Sequence, residues 1–406
     1  MNARGDSLIA NFLNLIGGEF AARALQALAM VILTRELGKD GVGVYGLATA
    51  IASYGQLCIT LGIDPIAIRG MQQNKIDPRE ATGRIFALRL AAAAVLAALA
   101  AMYASTGRAE GPILLVLTLS YFPAAMTPRW LLLAAGETRP LALAGVLAQA
   151  VFLAVVIFAP HRAIFAAAGA ATGEALSAAY CYAVARKHAG AMKLAWDTPF
   201  QRSVLRQARP VAISLVLGTM MTNFDVLALA ILGRQDQIGL YLSAYRPLTF
   251  FAPLLGVLQN TVFPRYASAW PNYAKIRPQV RMFSAATGSA MLLAAVALSW
   301  QSPFVLRMLF GASFLEGTPL FRVLVWALVP QGIRCVLRQV LYAFHRERAD
   351  FKNVQLAVIV NAVIDLLFIP RLGALGCAYS TVIAEGVFLV ATCICVRQIQ
   401  STQRQM

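Results

Sequence analysis

Long unbroken runs of apolar residues, separated by short polar breaks, pattern the chain from end to end. Twelve fall at about 8–33, 41–63, 82–104, 111–135, 139–159, 163–186, 207–232, 238–263, 281–301, 318–343, 351–369 and 373–396. About 20 apolar residues at 1.5 Å rise per residue cover the hydrocarbon core of a bilayer, and each run reaches about that length. Strands of a membrane barrel would alternate polar and apolar positions. These runs are continuous and rich in Ala and Leu, so they predict helices whose backbone groups are satisfied internally. The fold class expected is an all-α polytopic membrane protein of about 12 transmembrane helices. Pro123, Pro253 and Pro330 lie inside runs and predict bends there.

The last two runs carry the most distinctive pattern. Asn353 and Asn361 precede Asp365, the first run stops at Ile369-Pro370-Arg371, and a turn at Gly373 and Gly376 leads to Tyr379-Ser380-Thr381 and Glu385. The pattern has an echo in the first half, where Gln149, Pro160, Gly169 and Glu174 stand in the places of Asn361, Pro370, Gly376 and Glu385. Gly43-Val44-Tyr45 matches Gly239-Leu240-Tyr241, and Arg129 matches Arg338. The chain therefore reads as a duplication of six spans. An even number per half gives both halves one orientation, a parallel repeat about an axis along the membrane normal. The domains expected are an N-terminal six-helix lobe at 1–186, a cytoplasmic linker at 187–206 and a C-terminal six-helix lobe at 207–406. The linker holds Lys187, Lys193, Arg202 and Arg206, with Trp196 and Phe200 to lay it on the membrane surface. A hairpin built twice reads as the frame closing each lobe, which leaves the unrepeated charges Glu19, Arg23 and Arg246 for the work.

Composition agrees. The chain is 59% hydrophobic and 13% charged, against about 25% charged in soluble domains. The net charge of +17 is explained by loops on one side of the membrane: Arg69, Lys75, Arg79 and Arg84, then the linker, then Arg265, Lys275, Arg277 and Arg281, then Arg346, Arg348 and Lys352. Such a rich side is cytoplasmic, which puts both termini inside. No basic stripe interleaved with aromatics points to nucleic acid. Six cysteines in or beside apolar runs read as buried thiols, and the scattered His161, His188 and His345 build no metal site. Ser7 to Leu33 is too long for a signal-peptide core and reads as a retained first helix. The longest outside loop, about 301–317, has only Arg307 and Glu316 as charges, and no phosphate loop or nucleophile motif occurs, so no catalytic residue is expected.

Several stretches resemble a known family. Thr34-Arg-Glu-Leu-Gly-Lys-Asp-Gly-Val-Gly-Val-Tyr45 followed by Ile68-Arg69 resembles the opening signature of bacterial polysaccharide (O-antigen type) flippases. Phe224-Asp225 with Ile231-Leu-Gly233, then Ile238 to Arg246 and Phe263-Pro-Arg265, resembles their seventh and eighth helices, and the closing hairpin their eleventh and twelfth. Val42, where Phe is frequent, and Asp365, where Asn is common, depart from the pattern. The resemblance implies the multidrug/oligosaccharidyl-lipid/polysaccharide (MOP) superfamily fold, MATE-like, in the bacterial inner membrane. It also implies flipping of polyprenyl-diphosphate-linked oligosaccharides to the periplasmic leaflet for lipopolysaccharide O-antigen or other cell-surface polysaccharide, with polymerase or ligase machinery as a further partner. A MOP-superfamily multidrug/cation antiporter is the alternative; its cavity should be dominated by carboxylates and aromatics.

Charges within the spans give independent candidates, since an Arg or Asp at mid-bilayer costs about 2.5–3.5 kcal/mol on insertion scales. Arg23, Arg246 and Arg334, with Arg89 two turns from a helix end, are the candidates for binding the diphosphate, because guanidinium takes phosphate oxygens bidentately and stays charged. Their rival role is pairing between helices. Glu19, four residues from Arg23, and Asp225 are the candidates for coupling to H+ or Na+; no other cofactor is expected. Arg322, Arg338 and Asp365 complete the set of charges within spans, Arg129 and Arg338 reading as topological anchors. Glu174 and Glu385 read as hydrogen-bonding residues between closely packed helices.

Overall fold

A computed structural model describes residues 2–72, 77–160, 162–190 and 193–404. Lys75 and His161 lie outside the described residues, as do the side chains of Arg79 and His188. Among the described residues there are helices and no strands. They are α1 (Asn2–Thr60), α2 (Asp64–Gln72), α3 (Pro78–Ala104), α4 (Gly111–Thr118), α5 (Tyr121–Ala125), α6 (Arg129–Ala134), α7 (Thr138–Phe158), α8 (Ala163–Ala189), α9 (Thr198–Ile231), α10 (Ile238–Thr249), α11 (Ala252–Ala267), α12 (Arg277–Trp300), α13 (Ser302–Phe310), α14 (Thr318–Leu324), α15 (Leu328–Ala343), α16 (Glu347–Leu372) and α17 (Ala374–Arg404). Among the described residues, nine helical stretches are long and apolar enough to cross a membrane. The protein is a multi-pass, all-helical membrane protein. Helix α8, and the pair α10 and α11, occupy the places of two further expected spans.

The breaks follow local chemistry. Gly38 takes φ 64 inside α1 and bends it between the first two expected spans, a conformation glycine reaches without steric cost. The expected span at 111–135 is divided into α4, α5 and α6 around Pro123 and Pro128, and Thr118, Ser120 and Thr127 turn their hydroxyls back onto carbonyls three or four residues earlier. Pro253 stands in the first turn of α11, and Pro330 follows a 3-10 turn at Val325–Ala327. Pro370 does not stop its run, contrary to the sequence expectation. It is carried in the last turn of α16, and the helix ends at Gly373, φ 58. The next helix begins at once: the Ala374 amide donates to Gln237 Oε1 at 2.7 Å, satisfying one of its orphan amides. Of the expected linker, residues from Thr198 onward are already the first turns of α9.

The chain divides into two compact units, one of residues 1–37 and 44–216, the other of 38–43 and 217–406. In the first, Ile63, Ile85, Trp130, Leu131, Leu132 and Cys181 are buried together. In the second, Val262, Tyr266, Val280, Val336, Val340 and Leu341 form the core shared by α11, α12 and α15. Lipid is as apolar as these side chains, so close backbone approach matters more than burial. A Cβ on Gly376 would stand 2.7 Å from the Phe368 carbonyl carbon, across the α16–α17 hairpin, and one on Gly173 would stand 2.4 Å from the Ala148 oxygen across α7–α8. Both hairpins are therefore cinched at glycine. The cysteines are all free thiols; Cys181, Cys335 and Cys377 are buried, whereas Cys58 is exposed and Cys393 and Cys395 are half-buried.

Candidate functional site

The second unit brings two carboxylates of distant sequence into one buried cluster. Asp225 comes from the end of α9 and Asp365 from α16, and Asp365 is fully buried. Helical spacing supplies their partners: Asn361 and Asp365 are four apart on α16, and Cys377, Thr381 and Glu385 follow at the same interval on α17. The Tyr241 hydroxyl of α10 and the Thr381 hydroxyl, the latter at 3.1 Å, both donate to Asp225 Oδ2. The Ser380 hydroxyl donates to Asp365 Oδ1, and Asn361 Nδ2 donates to Ser380 Oγ at 3.1 Å. Asp365 Oδ2 has no hydrogen-bond partner among the described residues. The charge of Asp225 bears directly on Asp365, and every donor named here is neutral. Two ionised carboxylates side by side in such surroundings repel and are poorly solvated. Chemically, the arrangement is suited to take up one positive charge, as a proton or a small cation, and to give it back.

A second polar network adjoins it. Gln331, Arg334, Arg338 and Tyr342 lie along one partly exposed face of α15, while Cys335, Val336, Gln339 and Val340 are buried. Arg334 Nη2 and Nε donate to Glu385 Oε2 at 2.8 and 3.2 Å, and Gln331 Nε2 donates to Oε1 at 3.1 Å. One turn on, Arg338 forks onto Asp350 at 2.6 and 2.8 Å, and the Tyr342 hydroxyl donates to the same carboxylate at 2.7 Å. Both guanidinium groups lie over the Phe388 ring, at 4.0 and 5.4 Å from its centroid. The Tyr245 ring stacks on that of Tyr241, 6.0 Å between centroids.

The residues expected from sequence are distributed unevenly over this framework. Arg334 and Asp225 sit within it. Arg246 is half-buried at the end of α10. Glu19 and Arg23 do form a pair, at 2.7 Å, and their side chains are 61% and 53% exposed rather than packed inside the bundle. Arg89 is 2% exposed and donates to Asp64 Oδ1 at 2.5 Å and to the Thr60 carbonyl at 3.3 Å. It braces the turn at Leu61 and Gly62, both of positive φ, between α1 and α2. Arg322 donates to Ser302 at 3.0 Å. Glu174 feels the charge of Arg129 in the first unit. The closing hairpin is more than a frame: α16 and α17 supply Asn361, Asp365, Ser380, Thr381, Glu385 and Phe388 to the two networks. Sequence reasoning missed Tyr241, Gln331 and Asp350. Tyr241 had a signal, its place in the repeated Gly-x-Tyr; Gln331 and Asp350 had none that was local.

Fold and site define a class, a multi-pass helical membrane protein holding compensated charges inside its spans. The family described as "Polysaccharide biosynthesis protein" matches residues 8–270, and the chain belongs to that family. Among curated proteins it is 20% identical over 189 residues to the "Probable low-salt glycan biosynthesis flippase Agl15" of Haloferax volcanii, a match spanning 46% of this chain and 40% of that protein. The chain thus covers well under half the length of this relative. Among solved structures it resembles "Lipid II flippase MurJ, inward closed conformation" with TM-score 0.73 and 15% identity, covering 94% of this chain and 87% of that one. It also resembles an inward-facing multidrug resistance MATE family transporter of the MOP superfamily with TM-score 0.71 and 15% identity, covering 94% and 95%. At that identity the likeness is one of fold.

Proposed function

We propose that the protein flips a polyprenyl-diphosphate-linked oligosaccharide from the cytoplasmic to the extracytoplasmic leaflet by alternating access, serving cell-surface polysaccharide assembly in a bacterial inner membrane. One observation carries the reading: a member of the polysaccharide biosynthesis family keeps arginines within its spans, where only an anionic cargo or an internal counter-ion justifies them. The relative named a glycan biosynthesis flippase and the fold neighbour named a lipid II flippase support it. In this reading Arg334 and Arg246 meet the diphosphate, with Arg23 in reserve beside Glu19, and Arg89 holds the turn between α1 and α2. Asp225, with Asp365, couples the cycle to a proton or Na+. Polymerase or ligase machinery would take the product on the far side, and both termini lie in the cytoplasm.

Reconstitution in vesicles tests this directly. A lipid-linked oligosaccharide placed in one leaflet should become accessible in the other to a sugar-oxidising enzyme, at a rate dependent on the protein. The Asp225–Asp365 cluster would also suit a cation-coupled drug exporter, and one fold neighbour is named a multidrug resistance transporter. Export of a cationic dye without translocation of the lipid-linked sugar would establish that second reading and end the first.

A further inference from the structure

Glu385 already makes, with Arg334, the contact that an anionic headgroup would make. Its Oε2 takes two N–H groups of the guanidinium, at 2.8 and 3.2 Å, and its Oε1 takes the Gln331 amide at 3.1 Å. A diphosphate oxygen asks for the same fork. The pair is enclosed but not sealed, with Arg334 13% and Glu385 9% exposed. The neighbouring pair is built differently: Asp350 has a second anchor in Tyr342, whose hydroxyl also receives from Arg338 at 2.7 Å, so its three members lock one another. Glu385 has no comparable brace; Gln331 is a neutral donor that could serve phosphate equally well. Glu385 lies four residues, about one turn, beyond Thr381 on α17, and Thr381 holds Asp225. One helix, α17, therefore carries both a hydrogen bond to the buried carboxylates and the counter-ion of Arg334.

We infer that Glu385 is a resident counter-ion for Arg334, displaced by the diphosphate when substrate binds and restored when it leaves. Glu385 keeps the guanidinium compensated in the empty protein, where an unpaired charge would be costly. It also competes with the product, so the cargo is released rather than trapped. This inference rests on the flippase reading and adds a residue to it. Because α17 carries both Thr381 and Glu385, loading of the Asp225–Asp365 cluster and exchange at Arg334 are mechanically linked.

The experiment is binding of a sugar-free polyprenyl diphosphate to the full-length protein in micelles, with the neutral polyprenol as reference. Wild type should prefer the diphosphate. Glu385→Gln, which keeps the shape and removes the competing charge, should bind it about tenfold more tightly while translocating the lipid-linked sugar more slowly. Arg334→Gln should lose the preference, and Arg334→Lys should recover it only in part, since a point charge lacks the fork. Binding by a cooperatively melting Glu385→Gln that equals or falls below wild type overturns the exchange. Should that variant fail to fold, Glu385→Asp decides: one methylene shorter, it grips the Arg334 guanidinium less closely, so tighter binding supports the exchange and binding equal to or below wild type overturns it. A wild type that does not discriminate diphosphate from polyprenol instead overturns the flippase reading itself, whatever the variants do.

Discussion

Asp365 shows how a single side chain can be costly and useful at once. It is fully buried, one oxygen lacks a hydrogen-bond partner among the described residues, and its nearest charged influence is another carboxylate. Replacing it with Asn removes the repulsion and keeps the shape. Asp365→Asn should therefore melt at the same or a higher temperature than wild type, while any dependence of transport on pH or Na+ is lost; melting curves and vesicle flux across a pH and Na+ series check both halves. Arg89 is the opposite case, because its charge is matched. Arg89→Ala leaves Asp64 without its partner, and loss of one member of a buried pair costs roughly 3–5 kcal/mol. Asp64 is itself a quarter exposed, so the lower end of that range is expected, read as a fall in thermal stability in detergent. Arg89 was conspicuous in the sequence as a charge inside a span, but Asp64, 25 residues earlier, could not be assigned to it from spacing alone.

At the scale of elements, the α16–α17 hairpin is where sequence and structure meet most closely. Its turn glycines and small-residue start were readable because each is set by local chemistry, as were the breaks at Pro123, Pro253 and Pro330, whereas both helices run beyond the expected 351–369 and 373–396. Its chemistry was harder to read. Asp225 and Asp365 are 140 residues apart on helices that do not follow one another, and Arg334 and Glu385 are 51 apart; no periodicity within a helix encodes such pairings. The hairpin also offers a matched test. At Gly376 a methyl group would meet the Phe368 backbone at 2.7 Å, whereas at Gly386 it would meet nothing within 4 Å. Gly376→Ala should cost about 1–3 kcal/mol by prising the helices apart. Gly386→Ala should be neutral or stabilising by up to about 1 kcal/mol, since alanine is the better helix former. Thermal unfolding of the two variants side by side separates a packing glycine from an incidental one.

For the molecule as a whole, the asymmetry of positive charge among the loops was plain from the sequence, and its consequence can be measured. Cysteine placed at Arg346 or Lys275 should react with a membrane-impermeant thiol reagent only when the cytoplasmic face is opened, and cysteine at Arg307 should react from outside. The boundary between the two compact units falls after Val216, well inside α9. A long helix was not legible there because the basic run before it looks, by composition alone, like a tether.

Helix α17 has 31 residues, a length of about 46 Å against about 30 Å of hydrocarbon. Inserting one residue between Thr381 and Glu385 would swing everything beyond by about 100°, carrying Glu385 away from Arg334 with no change in hydrophobicity. The segment from Cys377 to Phe388 is thus fixed in length by its angular phasing. Any accommodation to a thicker or thinner bilayer has to be made beyond Phe388, in the turns that run on toward Arg404, where helix length can vary without disturbing a single ionic contact described above.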